Sequence, residues 1–237
     1  MKVRIPVLLM ILLSFAGPFE RAAAQDGGSK SLRLHTKAED LYRSGHFERA
    51  FFIYTNELAT IGDKYAQYMA GYMCLHGQGM KEDPVEASAW YRLAAERGAP
   101  EFVHVRDRLL ESMSEEDRIR SDERFIGLRF EYGDVALALE HLRDERRRIA
   151  GNVTGSLLGE SVGPVSILDP DTGTTVMREQ YVKRIHDRMQ VRLDFITRRM
   201  GIERVDADMT NREFDAFADE VDAYLRTTDD RRPATRR

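Results

Sequence analysis

The chain has 237 residues, with 36 Lys and Arg against 40 Asp and Glu, and 42% of it is apolar. That apolar fraction excludes wholesale disorder. The mild acidity argues against a dedicated nucleic-acid binder, and the single cysteine excludes an intrachain disulfide framework or a multi-cysteine metal site.

Residues 1–24 read as an address. Lys2 and Arg4 precede an apolar run from Ile5 to Ala16, and Ala22-Ala23-Ala24 follow Pro18. This is the layout of a secretory signal peptide, with cleavage expected after Ala24. The run is too short to favour a bilayer-spanning anchor, which needs about 20 residues. Removal leaves a net charge of −6 over 213 residues. The simple leader and the absence of disulfides suggest a secreted protein of the bacterial periplasm. Cys74 is expected to be a buried, apolar-like residue.

From Ser31 to Ala150 the pattern is helix, break, helix, with no strand signal. A first hairpin spans about 32–61, broken at Gly45-His46, with small residues at Ala38 and Ala50 where two helices approach. Its spacing resembles a tetratricopeptide repeat in part. The second hairpin opens with Ala66-Gln67-Tyr68-Met69-Ala70-Gly71-Tyr72 and turns through Gly77-x-Gly79-Met80. It continues through Asp83, Ala87, Trp90-Tyr91, Ala94-Ala95 and Gly98. These positions resemble the Sel1-like repeat, a relative of the tetratricopeptide repeat that builds helical solenoids. Ala70 and Cys74 depart from the pattern, where leucine and tyrosine are usual, so a neighbouring helix is expected to fill the space. Asp83 suits the cap of the second helix, with Pro84 in its first turn. Gly77 and Gly79 let the chain turn at positive φ.

Further helices are expected over 101–113, from an N-cap at Ser114 to about Tyr132, and onward from a break at Gly133-Asp134. About three stacked units are needed before such hairpins bury their faces. The window 151–173 then changes character, with five glycines, two prolines and no Lys or Arg. Within it, residues 165–168 and 174–177 flank Asp169-Pro170-Asp171-Thr172-Gly173, which reads as a β-hairpin turn. A helix over 178–200 follows, ending at Gly201, with Tyr181, Val182, Ile185, Met189, Leu193 and Ile196 on one face. Thr210 and Glu213 have capping-box spacing before a last helix carrying Phe214, Phe217, Val221 and Leu225. These two helices either pair with each other or cap the solenoid. From Thr227 the chain is polar and Arg-rich.

Catalytic motifs fail on inspection. Asp169-x-Asp171-x-Gly173 lacks the later ligands of an EF-hand. The Gly151–Gly155 stretch lacks the P-loop lysine, and Asn152-Val153-Thr154 is only a formal glycosylation sequon. Six histidines show no ligand spacing, and no nucleophile elbow exists. The run Arg143 to Arg148 is expected to be a solvated helix face with internal pairing. No cofactor and no metal site is expected.

The fold expected is therefore all-α: a right-handed solenoid of tetratricopeptide and Sel1-like hairpins over 25–150. A Gly-rich loop with a β-hairpin occupies 151–177, and C-terminal helices and a frayed tail occupy 178–237. Most of Tyr65, Tyr68, Tyr72, Trp90 and Tyr91 should be core, with the rest lining the inner face of the solenoid. Gln67, Tyr68 and Tyr72 are the candidate partner-binding residues. Ala66, Gly71, Gly77, Gly79, Asp83, Ala87, Trp90, Tyr91, Ala94, Ala95 and Gly98 are the structural positions of the repeat. The resemblance implies an adaptor or scaffold for a protein or cell-envelope component; the charge balance argues against a nucleic acid partner, and the short apolar run against a stable membrane span once the leader is removed. Two alternatives stand beside it. One is an enzyme, or an enzyme-associated or enzyme-activating subunit, with a site between the repeats and the Gly-rich segment. The other is a module that dimerises through its C-terminal helices.

Overall fold

The computed structural model describes residues 27–153 and 166–227. The expected leader, most of the Gly-rich loop and the Arg-rich tail lie outside these residues. The described chain is a helical solenoid with one two-stranded excursion. Its helices in chain order are α1 (Gly27–Arg43), α2 (Phe47–Ile53), α3 (Lys64–Leu75) and α4 (Pro84–Ala94). Then come α5 (Pro100–Ser112), α6 (Glu115–Tyr132) and α7 (Asp134–Val153). Strands β1 (Ser166–Leu168) and β2 (Thr175–Met177) precede α8 (Arg178–Met200) and α9 (Asn211–Leu225).

Local chemistry sets most boundaries. Gly45 and Gly62 adopt φ of 81° and 76°, where a side chain would be strained, and separate the first hairpin's helices from each other and from α3. Asp63 caps α3 by accepting from the Ala66 amide at 2.8 Å, and Asp83 caps α4 by accepting from the Glu86 amide at 2.9 Å. Ser114 does the same for α6, and Thr210 with Glu213 forms the full capping box of α9. Gly201, at φ 71°, ends α8. One feature is not legible in sequence: α2 runs on as a π turn over Tyr54–Leu58 and a 3₁₀ turn over Ala59–Ile61.

Packing follows the expected logic of stacked hairpins. The tightest pairs are α3 with α4 and α4 with α6. Ala38 and Ala50, both fully buried, sit in a first core with Tyr54, Leu58, Ala66, Met69 and Met73. A second core joins Ala70, Cys74, Ala87, Trp90 and Leu93 to Phe125, Leu128 and Tyr132 of α6. The two undersized side chains of α3 are thus filled by the aromatic residues of α6, with the Trp90 and Tyr132 rings 5.1 Å apart. Burial raises the Cys74 thiol far above its ordinary value, so the residue is an inert core group.

The third core is C-terminal. Tyr181, Ile185, Met189, Leu193 and Ile196 of α8 and Phe214, Phe217, Val221 and Leu225 of α9 close on Val135, Ala138, Leu139 and Leu142 of α7. Helix α8 packs mainly on α7, and α9 touches α6, α7 and α8. The two last helices therefore extend the stack, with the apolar residues of both packed within the chain. β1 and β2 pair antiparallel, with Ile167 opposite Val176 and both facing this core. Asp169 is buried in the turn, accepting from the Asp171 amide at 2.9 Å.

Two expectations need correction. The helix begun at Asp134 continues to Val153, so Gly151 is helical rather than the start of a loop. The Arg143 to Arg148 run is only in part a solvated face: Arg143 and Arg147 are exposed and Arg147 pairs with Asp144 within the helix, but Glu145, Arg146 and Arg148 turn to other segments. Glu145 is buried and accepts from Arg188 at 3.0 Å and Arg192 at 2.7 Å. Arg146 donates to the Met209 carbonyl and lies over the Phe214 ring, and Arg148 pairs with Asp171. The physical reason is that α8 brings its own arginines against α7, so the Glu145 carboxylate pairs across the two helices.

Glycine substitutions separate packing from backbone strain. A Cβ on Gly71 would stand 2.8 Å from the buried Tyr91 ring, and on Gly98 would meet nothing within 4 Å at φ 75°. Gly71→Ala should cost about 1–3 kcal/mol through overpacking. Gly98→Ala should cost about 1 kcal/mol through strain alone. Urea unfolding of both variants checks the order.

Candidate functional site

The first helices of successive hairpins, α1, α3 and the start of α5, share one face. Tyr65, Tyr68 and Tyr72 recur on α3 at helical spacing and are each half-buried. On the α1 side, the rings of His35 and Tyr65 lie 5.9 Å apart, and Tyr42 donates its hydroxyl to Gln78 Oε1 at 2.9 Å. On the α5 side, Tyr68 stacks on Phe102 at 5.4 Å and reaches Tyr91 at 5.5 Å. At the far end of α3, the Tyr72 ring lies 4.4 Å from His76. The result is a row of aromatic bodies with hydroxyl tips. Burial pushes the Tyr65 hydroxyl up to about 12, so it remains a donor at neutral pH.

The structure places the three proposed contact residues differently. Tyr68 and Tyr72 belong to this face. Gln67 does not: it is fully buried, pointing to the opposite side of α3. Its Oε1 accepts from Lys64 Nζ at 3.1 Å and its Nε2 donates to the Tyr132 carbonyl at 3.1 Å. A buried amide with both ends bonded is a structural bridge. The eleven repeat positions all act structurally. Ala66, Ala87, Ala94, Ala95, Trp90 and Tyr91 are buried, and Asp83 caps α4. Gly71 admits the Tyr91 ring, while Gly77, Gly79 and Gly98 hold positive φ. Gly79 also lets the loop rest on the Phe47–Glu48 backbone.

Sequence reasoning missed His35, Tyr42 and Gln78 as members of the face, and the buried Phe102 ring that backs it. The signal for two of them was present, since His35 and Tyr42 are seven residues apart and so share a helical stripe. It also missed the cluster beneath Gln67. Lys64 Nζ lies 2.8 Å from Glu96 Oε2 and 3.1 Å from Asp134 Oδ1, with all three side chains largely buried. Arg97 binds Asp134 at 3.0 Å, and Arg199 of α8 donates to the Glu96 carbonyl at 2.8 Å. Burial alone would raise the Asp134 carboxyl, but Lys64 and Arg97 outweigh it and hold the group well below the usual range. Arg129 adds a further tie, donating to the Thr227 carbonyl at 2.9 Å and stacking on Tyr224. Among the described residues, no group of three or more His, Cys, Asp or Glu side chains is placed to hold a metal ion.

Removing one member of this cluster leaves a buried charge unmatched. Asp134→Ala should lower stability by about 3–5 kcal/mol. Because the Asp134 pKa is depressed on folding, its contribution is present above its ordinary value of 3.8 and is lost as pH falls through the folded value. The variant should therefore differ most from the parent near neutral pH and least in acid, measured by urea unfolding across that range. A second check concerns Cys74, which should resist a thiol reagent in the native state and react only as the protein unfolds.

Residues 64–98 match the family model of the Sel1 repeat. No curated protein and no solved structure matches the chain. Sel1 repeats in general mediate protein–protein interaction, and the repeat found here comprises α3, α4 and the turn that ends at Gly98.

Proposed function

We propose that the chain is a secreted, periplasmic adaptor or scaffold that holds another protein or cell-envelope component on the aromatic face of α1, α3 and α5. The observation that carries the reading is the half-buried row Tyr65, Tyr68 and Tyr72 on the first helix of the Sel1 repeat. Core aromatics of this chain, such as Tyr54 and Tyr91, are almost fully covered, whereas this row is only half-buried. Such side chains offer large contact area at small entropic cost together with a hydroxyl for orientation. Inner faces of stacked helical repeats are binding surfaces for the same reason: the stack holds many side chains in fixed relation. The leader-like residues 1–24 support the compartment.

A photocrosslinking residue at Tyr72 should capture a defined partner in intact cells, and the same residue at Ile119 of α6, half-exposed and away from the face, should not. Tyr72→Ala should weaken capture at least tenfold, as contact aromatics commonly do. Its unfolding midpoint should stay close to that of the parent, because Tyr72 lies outside the buried cores. Equal capture from both positions contradicts the reading.

A further inference from the structure

Helix α1 rests its apolar side on α2 and the π turn, and is fastened to the α3 segment by polar side chains at two points. At its midpoint, His35 Nε2 lies 2.7 Å from Asp63 Oδ2. Toward its end, Tyr42 donates to Gln78. Glu39 falls between the two ties on α1, and Tyr65, Tyr68 and Tyr72 fall between them on α3. We propose that the His35–Asp63 pair is a pH-sensitive latch that sets how firmly α1 closes on α3, and so the width of the aromatic face between them.

Asp63 serves two helices at once. Its Oδ1 caps α3 through the Ala66 amide, while Oδ2 meets the imidazole from α1. The groups facing His35 are Glu39 on its own helix and Asp63 and Tyr65 on the α3 segment, while Arg97 acts on Asp63 from beyond α4. Burial disfavours a charged imidazole, but the bond to Asp63 and the charges of Asp63 and Glu39 outweigh it and raise the His35 pKa above 6.5. On Asp63, burial works upward, and the His35 bond and charge outweigh it, so that pKa falls below 3.8. The charged latch therefore exists between those two folded values. Its histidine contribution is complete below 6.5 and disappears as pH rises through the raised value. The carboxylate and its cap persist above that point. α3 thus keeps its place while α1 loses a charge-assisted tie, and the face widens on the alkaline side.

The test uses the full chain with spin labels at Lys37→Cys on α1 and Glu123→Cys on α6, both exposed positions. The native Cys74 is buried and stays unlabelled. The interlabel distance distribution should be narrow one pH unit below the ordinary histidine value and broaden two units above it. His35→Gln should be broad at both. Asp63→Asn, which keeps a good capping residue, should also be broad at both while α3 stays helical. In parallel, the His35 Cε1 proton should titrate above 6.5 in the parent and at a lower pH in Asp63→Asn. A distance distribution that does not respond to pH, a response that survives in His35→Gln, or a His35 pKa at or below 6.5 each overturns the latch. Only the consequence for docking rests on the proposed function. Failed capture at Tyr72 with an intact latch response would reject the docking reading alone.

Discussion

The buried charge cluster around Lys64 is the constraint on which the rest of the structure depends. A lysine placed almost out of water must be matched by carboxylates held at short range. Glu96 and Asp134 supply them from two other parts of the chain, the turn after α4 and the start of α7. Once these are fixed, the Sel1 repeat, the second half of the stack and the C-terminal helices share one junction. Gln67 relays it to the end of α6, and Arg199 relays it to the end of α8. Charge satisfaction here ties together segments that lie far apart in the chain.

The aromatic face follows from that junction. With α3 pinned through its buried side by Lys64 and Gln67, its other side is presented in a fixed attitude. Tyr65, Tyr68 and Tyr72 then stand between α1 and α5, backed by Phe102 and Tyr91. The same helix thus carries the structural bond network on one side and the candidate contact surface on the other. The small residues Ala66, Ala70 and Gly71 between them allow the close packing that makes this possible.

How much of this was legible in the sequence depends on the range of the interaction. Asp83, Ser114, Thr210, Gly98 and Gly201 act on the backbone next to them, so their roles could be read directly. The amphipathic faces of α8 and α9 were equally plain, because periodicity is a local property. Gln67 could not be placed, since its role depends on a carbonyl 65 residues away. Glu145 and Arg146 were misread for the same reason: their partners are on α8 and in the segment before α9. The π turn at Tyr54 had no sequence signal at all. Polar residues on a helix carry the least information when their partners are distant, and those residues decided both the junction and the edge of the candidate site.

The central claim is that repeat and C-terminal helices form one cooperative stack through the Lys64 junction. Trp90, the single tryptophan, reports on the second core by fluorescence, and amide hydrogen exchange along α8 and α9 reports on the third. Following both through one urea titration is the most direct test. Coincident transitions with a single midpoint are predicted. An early loss of α8 and α9 protection while Trp90 remains native would contradict the account.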